Sequence, residues 1–118
     1  MINISSRAAL GMPRRSAYAA AKSGLIGYTR TWALELGKHG ITVNAVAPGP
    51  IGTALFHSNN PMTEEEKLAL QNRIPLRRLG ETNDIAGPIA FLLSNDARFM
   101  TGQVLYVCGG LSIGAAPI

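Results

Sequence analysis

Tyr18 and Lys22 stand four residues apart in the segment S-A-Y-A-A-A-K. On a helix, side chains at i and i+4 share one face, so this spacing holds a phenol beside an ammonium. That is an acid/base device. Forming phenolate at pH 7 from a free phenol of pKa ~10 costs about 4 kcal/mol. An ammonium ~4 Å away, at an effective dielectric of ~20, returns a similar amount, which makes such a tyrosine a usable proton donor and acceptor near neutrality. Ser5 and Ser6 lie thirteen and twelve residues upstream of Tyr18, at the end of an apolar run. A serine hydroxyl next to the phenol is suited to orient a carbonyl oxygen. Alone, Y-x-x-x-K is a weak signal, because a surface tyrosine packed over a lysine stem gives the same pattern.

The elements around these residues follow from local chemistry. Ile2 to Ile4 reads as a short buried strand ending at Ser5-Ser6. A loop with Gly11, Pro13 and two arginines follows, and Ser16 is the expected N-cap of a helix from Ala17 to about Lys38. Its apolar stripe is Leu25, Ile26, Trp32, Leu34 and Leu36. Gly40 suits the left-handed position after the helix. Ile41 to Val46 reads as a buried parallel strand, broken by Pro48-Gly49-Pro50. Residues 51 to 62 read as a loop. Thr63 and Glu66 form a capping box for a short helix to about Asn72. Ile74 to Gly80 is a loop, and Thr82 caps a helix to about Leu93 that contains Pro88. Gln103 to Cys108 is the last strand, closed by Gly109-Gly110. The order strand, helix, strand, helix, helix, strand implies parallel pairing through helical crossovers. Three parallel strands make a thin sheet with an exposed edge. No repeat or linker divides residues 1–118, so they form one unit.

Composition excludes several classes. Of 118 residues, 47% are hydrophobic, which fits a globular domain rather than a disordered chain. No apolar run reaches the about 18 residues of a membrane span, and the first residues lack the basic and apolar regions of a signal peptide. Cys108 is the only cysteine, which excludes an internal disulfide and a cysteine metal cluster; a reducing cytoplasm is the expected location. The net charge of +4 comes from scattered basic residues with two adjacent pairs, Arg14-Arg15 and Arg77-Arg78, and aromatic residues make up only 6%. That argues against a nucleic-acid stacking surface and for solvated surface or attraction of an anionic ligand.

Four segments in order, N-I-S-S, Y-A-A-A-K, I-T-V-N-A-V-A-P-G-P-I-G-T and T-G-Q-V-L-Y-V-C-G-G, resemble the short-chain dehydrogenase/reductase family. The resemblance runs from Met1 to about Gly110 and is to the C-terminal half of a member. It implies an α/β fold, a Rossmann-like parallel sheet of three strands with crossover helices. The family's N-terminal dinucleotide-binding half, with its T-G-x-x-x-G-x-G loop and its N-N-A-G segment, is absent from these 118 residues, so they are expected to be a fragment or truncated product with little activity alone. The implied reaction is interconversion of a carbonyl and a secondary alcohol with NAD or NADP.

By the same resemblance, Tyr18 exchanges the proton with the substrate oxygen, and Lys22 holds the nicotinamide ribose and eases deprotonation of Tyr18. One serine orients the carbonyl. The family's usual thirteen-residue separation selects Ser5; alignment of the strand selects Ser6, with one residue deleted from the loop, and Ser6 is preferred because strand ends are stiffer than loops. Pro48, Gly49, Ile51 and Thr53 match the turn that receives the nicotinamide. Residues 54 to 75 fall in the substrate-binding region, where Phe56, His57, Met62 and Leu68 are candidate pocket residues. His57 is expected at the surface, Trp32 in the core or a subunit contact, and Asn44 bonded to loop backbone. Cys108 departs from the Asp common before Gly-Gly and is expected to be a small buried thiol. The substrate is a small carbonyl or alcohol: a 3-oxoacyl thioester, a sugar, a steroid-like ketone or another alcohol. The expected partners are copies of the chain or the missing half, with no nucleic acid or membrane. The rival expectation is a non-catalytic interaction module that keeps the family's packing surfaces.

Overall fold

A computed structural model of the chain describes residues 1–114. Three strands, β1 (Ile2–Ile4), β2 (Asn44–Pro48) and β3 (Val104–Val107), form a parallel sheet in the order β1-β2-β3. Ile2 pairs with Asn44 and Ile4 with Val46; Ala45 pairs with Val104 and Pro48 with Val107. Helix α1 (Ser16–Leu36) crosses from β1 to β2. Helices α2 (Ala54–Asn59), α3 (Glu64–Arg73) and α4 (Thr82–Leu92) lie between β2 and β3.

Side chains alternate across a strand, and this sends the two long helices to opposite faces. Asn3 Nδ2 donates to Thr29 Oγ1 of α1 at 3.0 Å. Val46, one residue out of phase with the Asn3–Ala45 pair, joins Leu92 and Ala97 in the core on the α4 face, with Ile2, Ile85, Ile89 and Val107 against it. The central strand is buried from Asn44 to Ala47, as expected for a parallel strand covered on both sides. Buried Asn44 fixes the approach to β3: its Nδ2 donates to the Met100 carbonyl and its Oδ1 accepts from the Gln103 N–H, both at 3.0 Å.

Several boundaries differ from those expected. The second strand begins at Asn44, because Val43 is engaged instead by the loop before β3: its N–H donates to Thr101 Oγ1 and its carbonyl accepts from Gly102. Residues 54–59 are helical rather than loop, because the Thr53 hydroxyl caps α2 by accepting the Phe56 N–H at 3.1 Å. Helix α1 is preceded by Arg15 at its N-cap, without a side-chain cap, and ends at Leu36 in a 3-10 turn over Gly37–His39. Gly40 then takes φ +71, the left-handed conformation expected of it. Glu81 rather than Thr82 occupies the N-cap of α4, its N–H held by the Asp84 carboxylate. Pro88 sits inside α4 without ending it, and the Thr63–Glu66 capping box is present. Leu34 leaves the apolar stripe and faces outward, 85% exposed. No helix among the described residues is long and apolar enough to cross a membrane.

Candidate active site

The end of β1 gives two adjacent serines different bonding partners. Ser5 is buried, and its Oγ donates to the Lys22 carbonyl at 2.7 Å while its N–H donates to Val46. It ties the strand end to α1. Ser6 caps the 3-10 turn Arg7–Leu10, its Oγ accepting the Ala8 N–H at 3.1 Å. Ser6 also lines an open cleft of about 380 Å³, as does Tyr18. A hydroxyl that accepts one bond still has its own proton to donate, so Ser6 can meet a carbonyl oxygen from the cleft.

Tyr18 projects from the first turn of α1 and is 45% exposed. The Lys22 ammonium lies 5.7 Å from the centroid of its ring and donates to the Ile4 carbonyl at 3.0 Å. Helical spacing thus sets the two groups side by side, with Lys22 behind the ring at the strand end.

Across the cleft stand Pro48, Gly49, Ile51 and Thr53. A Cβ on Gly49 would lie 2.7 Å from Cys108 Cα, so only glycine lets the end of β2 pass β3 this closely. Ile51 bridges Gly80 in parallel: Gly80 N–H donates to the Pro50 carbonyl and Gly52 N–H to the Gly80 carbonyl. In that pattern the N–H of Ile51 itself faces the opposite way. A nicotinamide carboxamide needs such a backbone donor, so Ile51 fits the group. Thr53 has its oxygen engaged in capping α2 and retains a hydroxyl proton.

Phe56 lines the cleft, joined by Leu55, Asn59 and Asn60, which the sequence did not single out. His57 is exposed and meets Phe56 edge-on; Met62 and Leu68 lie outside the cleft lining. Helix α2 explains the place of His57, since it turns Leu55, Phe56 and Asn59 to the cleft and sends His57 outward; Met62 precedes α3 and Leu68 lies within it. Arg7 and Arg15 also line the cleft; their adjacency to Ser6 and to the helix start was the available signal. Arg14, between Pro13 and Arg15, is held at φ +62, at a cost of about 1 kcal/mol for a residue with a side chain.

Trp32 is half-buried and stacks on Tyr28 at 5.1 Å between centroids. Cys108 is buried beside a smaller cavity of about 110 Å³. Burial pushes its thiol up, but hydrogen bonds from Ser112 and from the backbone of Gly110 and Leu111 outweigh this and hold it below the ordinary value. At the rim of the same cavity Arg78 and Asp84 form a two-pronged ion pair at 2.6 and 2.9 Å. That guanidinium and the Glu81 N–H pull the Asp84 carboxyl down to about 2. No cluster of three or more metal-ligating side chains occurs among the described residues.

A parallel sheet with helical crossovers, with serine, tyrosine and lysine gathered where a strand ends opposite a Pro-Gly turn, is a Rossmann-like α/β arrangement. Residues 1–112 match the family model described as "Enoyl-(Acyl carrier protein) reductase". The chain belongs to the short-chain dehydrogenase/reductase family. It is 48% identical over 98% of its length to the (2S)-[(R)-hydroxy(phenyl)methyl]succinyl-CoA dehydrogenase subunit BbsD of Thauera aromatica, of which it covers 45%. It is 45% identical over 94% of its length to the 3-oxoacyl-[acyl-carrier-protein] reductase FabG of Staphylococcus epidermidis, again covering 45% of that protein. Among solved structures it resembles the F189W actinorhodin polyketide ketoreductase with NADPH, with a TM-score of 0.88 and 35% identity, covering 94% of this chain and 46% of that one. The chain therefore spans about half the length of the relatives it matches.

Proposed function

We propose that these residues form the catalytic half of an NAD(P)-dependent enzyme that interconverts a carbonyl and a secondary alcohol. The observation that carries this reading is the convergence of Ser6, Tyr18 and the Pro48–Thr53 turn on one cleft, with the Lys22 ammonium behind the phenol. In the reduction direction, the Ser6 hydroxyl donates to the substrate carbonyl and orients it. The nicotinamide, when bound, supplies hydride to the carbonyl carbon. Tyr18 gives its proton to the oxygen as charge develops there, so hydride plus proton convert the carbonyl to an alcohol. The Lys22 ammonium lies 5.7 Å from the centre of the Tyr18 ring and, with its remaining donors, suits ribose hydroxyls. The Ile51 N–H and the Thr53 hydroxyl suit the carboxamide. The names of both curated relatives carry an acyl group on CoA or acyl carrier protein, which favours a 3-oxoacyl thioester. A reducing cytoplasm suits the lone buried thiol.

The Gly-rich phosphate loop that grips a dinucleotide does not occur in the 118 residues. The 118-residue chain alone is therefore expected to turn over little. Paired with a dinucleotide-binding half supplied by a relative, it is expected to oxidise NADPH or NADH with a 3-oxoacyl thioester. Tyr18→Phe is expected to lower kcat at least ~100-fold by removing the proton donor. Absence of oxidation in the paired protein, or full turnover in Tyr18→Phe, would overturn the reading.

A second reading, an interaction module without catalysis, draws on α1, where Leu34 and Tyr28 face outward. It predicts a stable assembly that binds neither NADH nor NADPH even when paired.

A further inference from the structure

The cleft has a charge that the carbonyl chemistry does not use. Arg7 follows Ser6 directly, and Arg15 stands one helical turn before Tyr18; both line the cleft. Its lining contains no aspartate or glutamate. Among the described residues neither guanidinium has a carboxylate within 4.0 Å, and the one ion pair, Arg78–Asp84, lies at the other cavity. Two arginines without an ion-pair partner therefore line the cleft that holds Ser6 and Tyr18. Leu55 and Phe56 supply apolar surface to the same cleft, and Asn59 and Asn60 add amides. Its volume of about 380 Å³ suits a small organic ligand.

We propose that Arg7 and Arg15 select an anionic substrate, one that carries a carboxylate or a phosphate in reach of the carbonyl held by Ser6 and Tyr18. The proposal rests on the carbonyl reading for the position of the reacting group and adds the charge of what is bound. Guanidinium groups bind carboxylate and phosphate through paired N–H donors, in charge-assisted bonds stronger than neutral ones. The apolar residues take the carbon chain between the anion and the carbonyl. The chain's net charge of +4 adds long-range attraction for such a ligand.

Binding tests this without hydride transfer, so its failure is distinct from failure of the catalytic reading. The full chain is titrated by NMR with three probes: acetoacetate, its neutral ethyl ester, and phosphopantetheine. Arginine side-chain N–H signals report the contact. Acetoacetate or phosphopantetheine is expected to bind at least ~10-fold more tightly than the ester, the scale of one charge-assisted contact. The stronger of the two anions identifies carboxylate or phosphate as the recognised group. Arg7→Gln and Arg15→Gln are each expected to cut the anion-to-ester ratio severalfold, and the double variant to bring it to about one. Arg98→Gln, remote from the cleft, keeps the ratio. Arg15 is exposed and Arg7 half-buried, and neither side chain has a hydrogen-bond or ion-pair partner among the described residues, so the variants are expected to retain the fold, which the amide spectrum verifies. Equal affinity for anions and ester, or a ratio unchanged in the double variant, would overturn the proposal.

Discussion

Lys22 bonds the Ile4 carbonyl while its ammonium lies 5.7 Å from the centre of the Tyr18 ring. One side chain thus joins the end of β1 to the phenol, and its backbone carbonyl receives Ser5 in return. The i, i+4 spacing made the Tyr18–Lys22 pair legible, because a helix repeats that geometry wherever it forms. For the place of Arg7 and Arg15 in the cleft lining, adjacency to Ser6 and to the helix start was the only signal, because the lining depends on a turn that folds back beside Ser6. The bonding of Asp84 to Arg78 was equally hidden, six positions apart across a helix start. Its consequence is measurable. The carboxyl is drawn from its ordinary 3.8 to about 2, and a group whose folded value lies below its unfolded one stabilises the fold above the unfolded value. That contribution is expected to fade as pH falls from about 4 to about 2, and to shrink with added salt because the pair is exposed. Urea unfolding across this range checks it: Asp84→Asn should lose the corresponding part of the slope. An unaltered slope in the variant would count against the ion pair.

The elements were read more reliably where side chains speak for themselves. Thr63 and Glu66 announce α3 because the two caps are reciprocal and local. Helix α2 escaped because Gly52 precedes it, Asn60 and Pro61 follow it and it ends on Asn59, all turn formers, although Thr53 carried the cap. The start of β2 was read too early because β-branched Ile41, Thr42 and Val43 look like strand, whereas Val43 bonds to Thr101 and Gly102. The close pass of Gly49 over Cys108 yields a prediction for the turn. Gly49→Ala places a methyl 2.7 Å from backbone that cannot swing aside. It is expected to cost about 1–3 kcal/mol of stability and to move Ile51, so nicotinamide affinity in the paired protein should fall with it. A variant as stable as the parent in urea would show that the strand ends have room to part.

At the scale of the whole molecule, the parallel sheet and its helical crossovers were readable from the alternation of apolar runs and helix formers. What lies outside the sheet was not. In the β1–β2 register the backbone groups of Ile2 and Ile4 point away from β2. On α1, the exposed positions Ala20, Gly24, Gly27, Thr31 and Leu34 recur with helical spacing. A Cβ at Gly24 or Gly27 would meet nothing within 4 Å. Replacing either by alanine is therefore expected to stabilise the separate chain by about 0.5–1 kcal/mol, the helix cost of glycine. If this face packs against a second copy, the same methyls stand in the way of it. Sedimentation and thermal melting of Gly24→Ala and Gly27→Ala distinguish the cases. Self-association that weakens while the monomer's melting temperature rises is the expected outcome, and association untouched by either methyl would place the contact elsewhere.

Because Ser5 and Ser6 belong to a strand end and Tyr18 to a helix that Ser5 moors, the gap between hydroxyl and phenol is fixed through space by that mooring. The intervening peptide, a 3-10 turn and a loop, follows that mooring and is tied to α1 where Ser23 Oγ donates to the Ala9 carbonyl. Under the proposed chemistry, the engagement of Ser5 with the Lys22 carbonyl, rather than a count of residues from serine to tyrosine, makes Ser6 the hydroxyl to test.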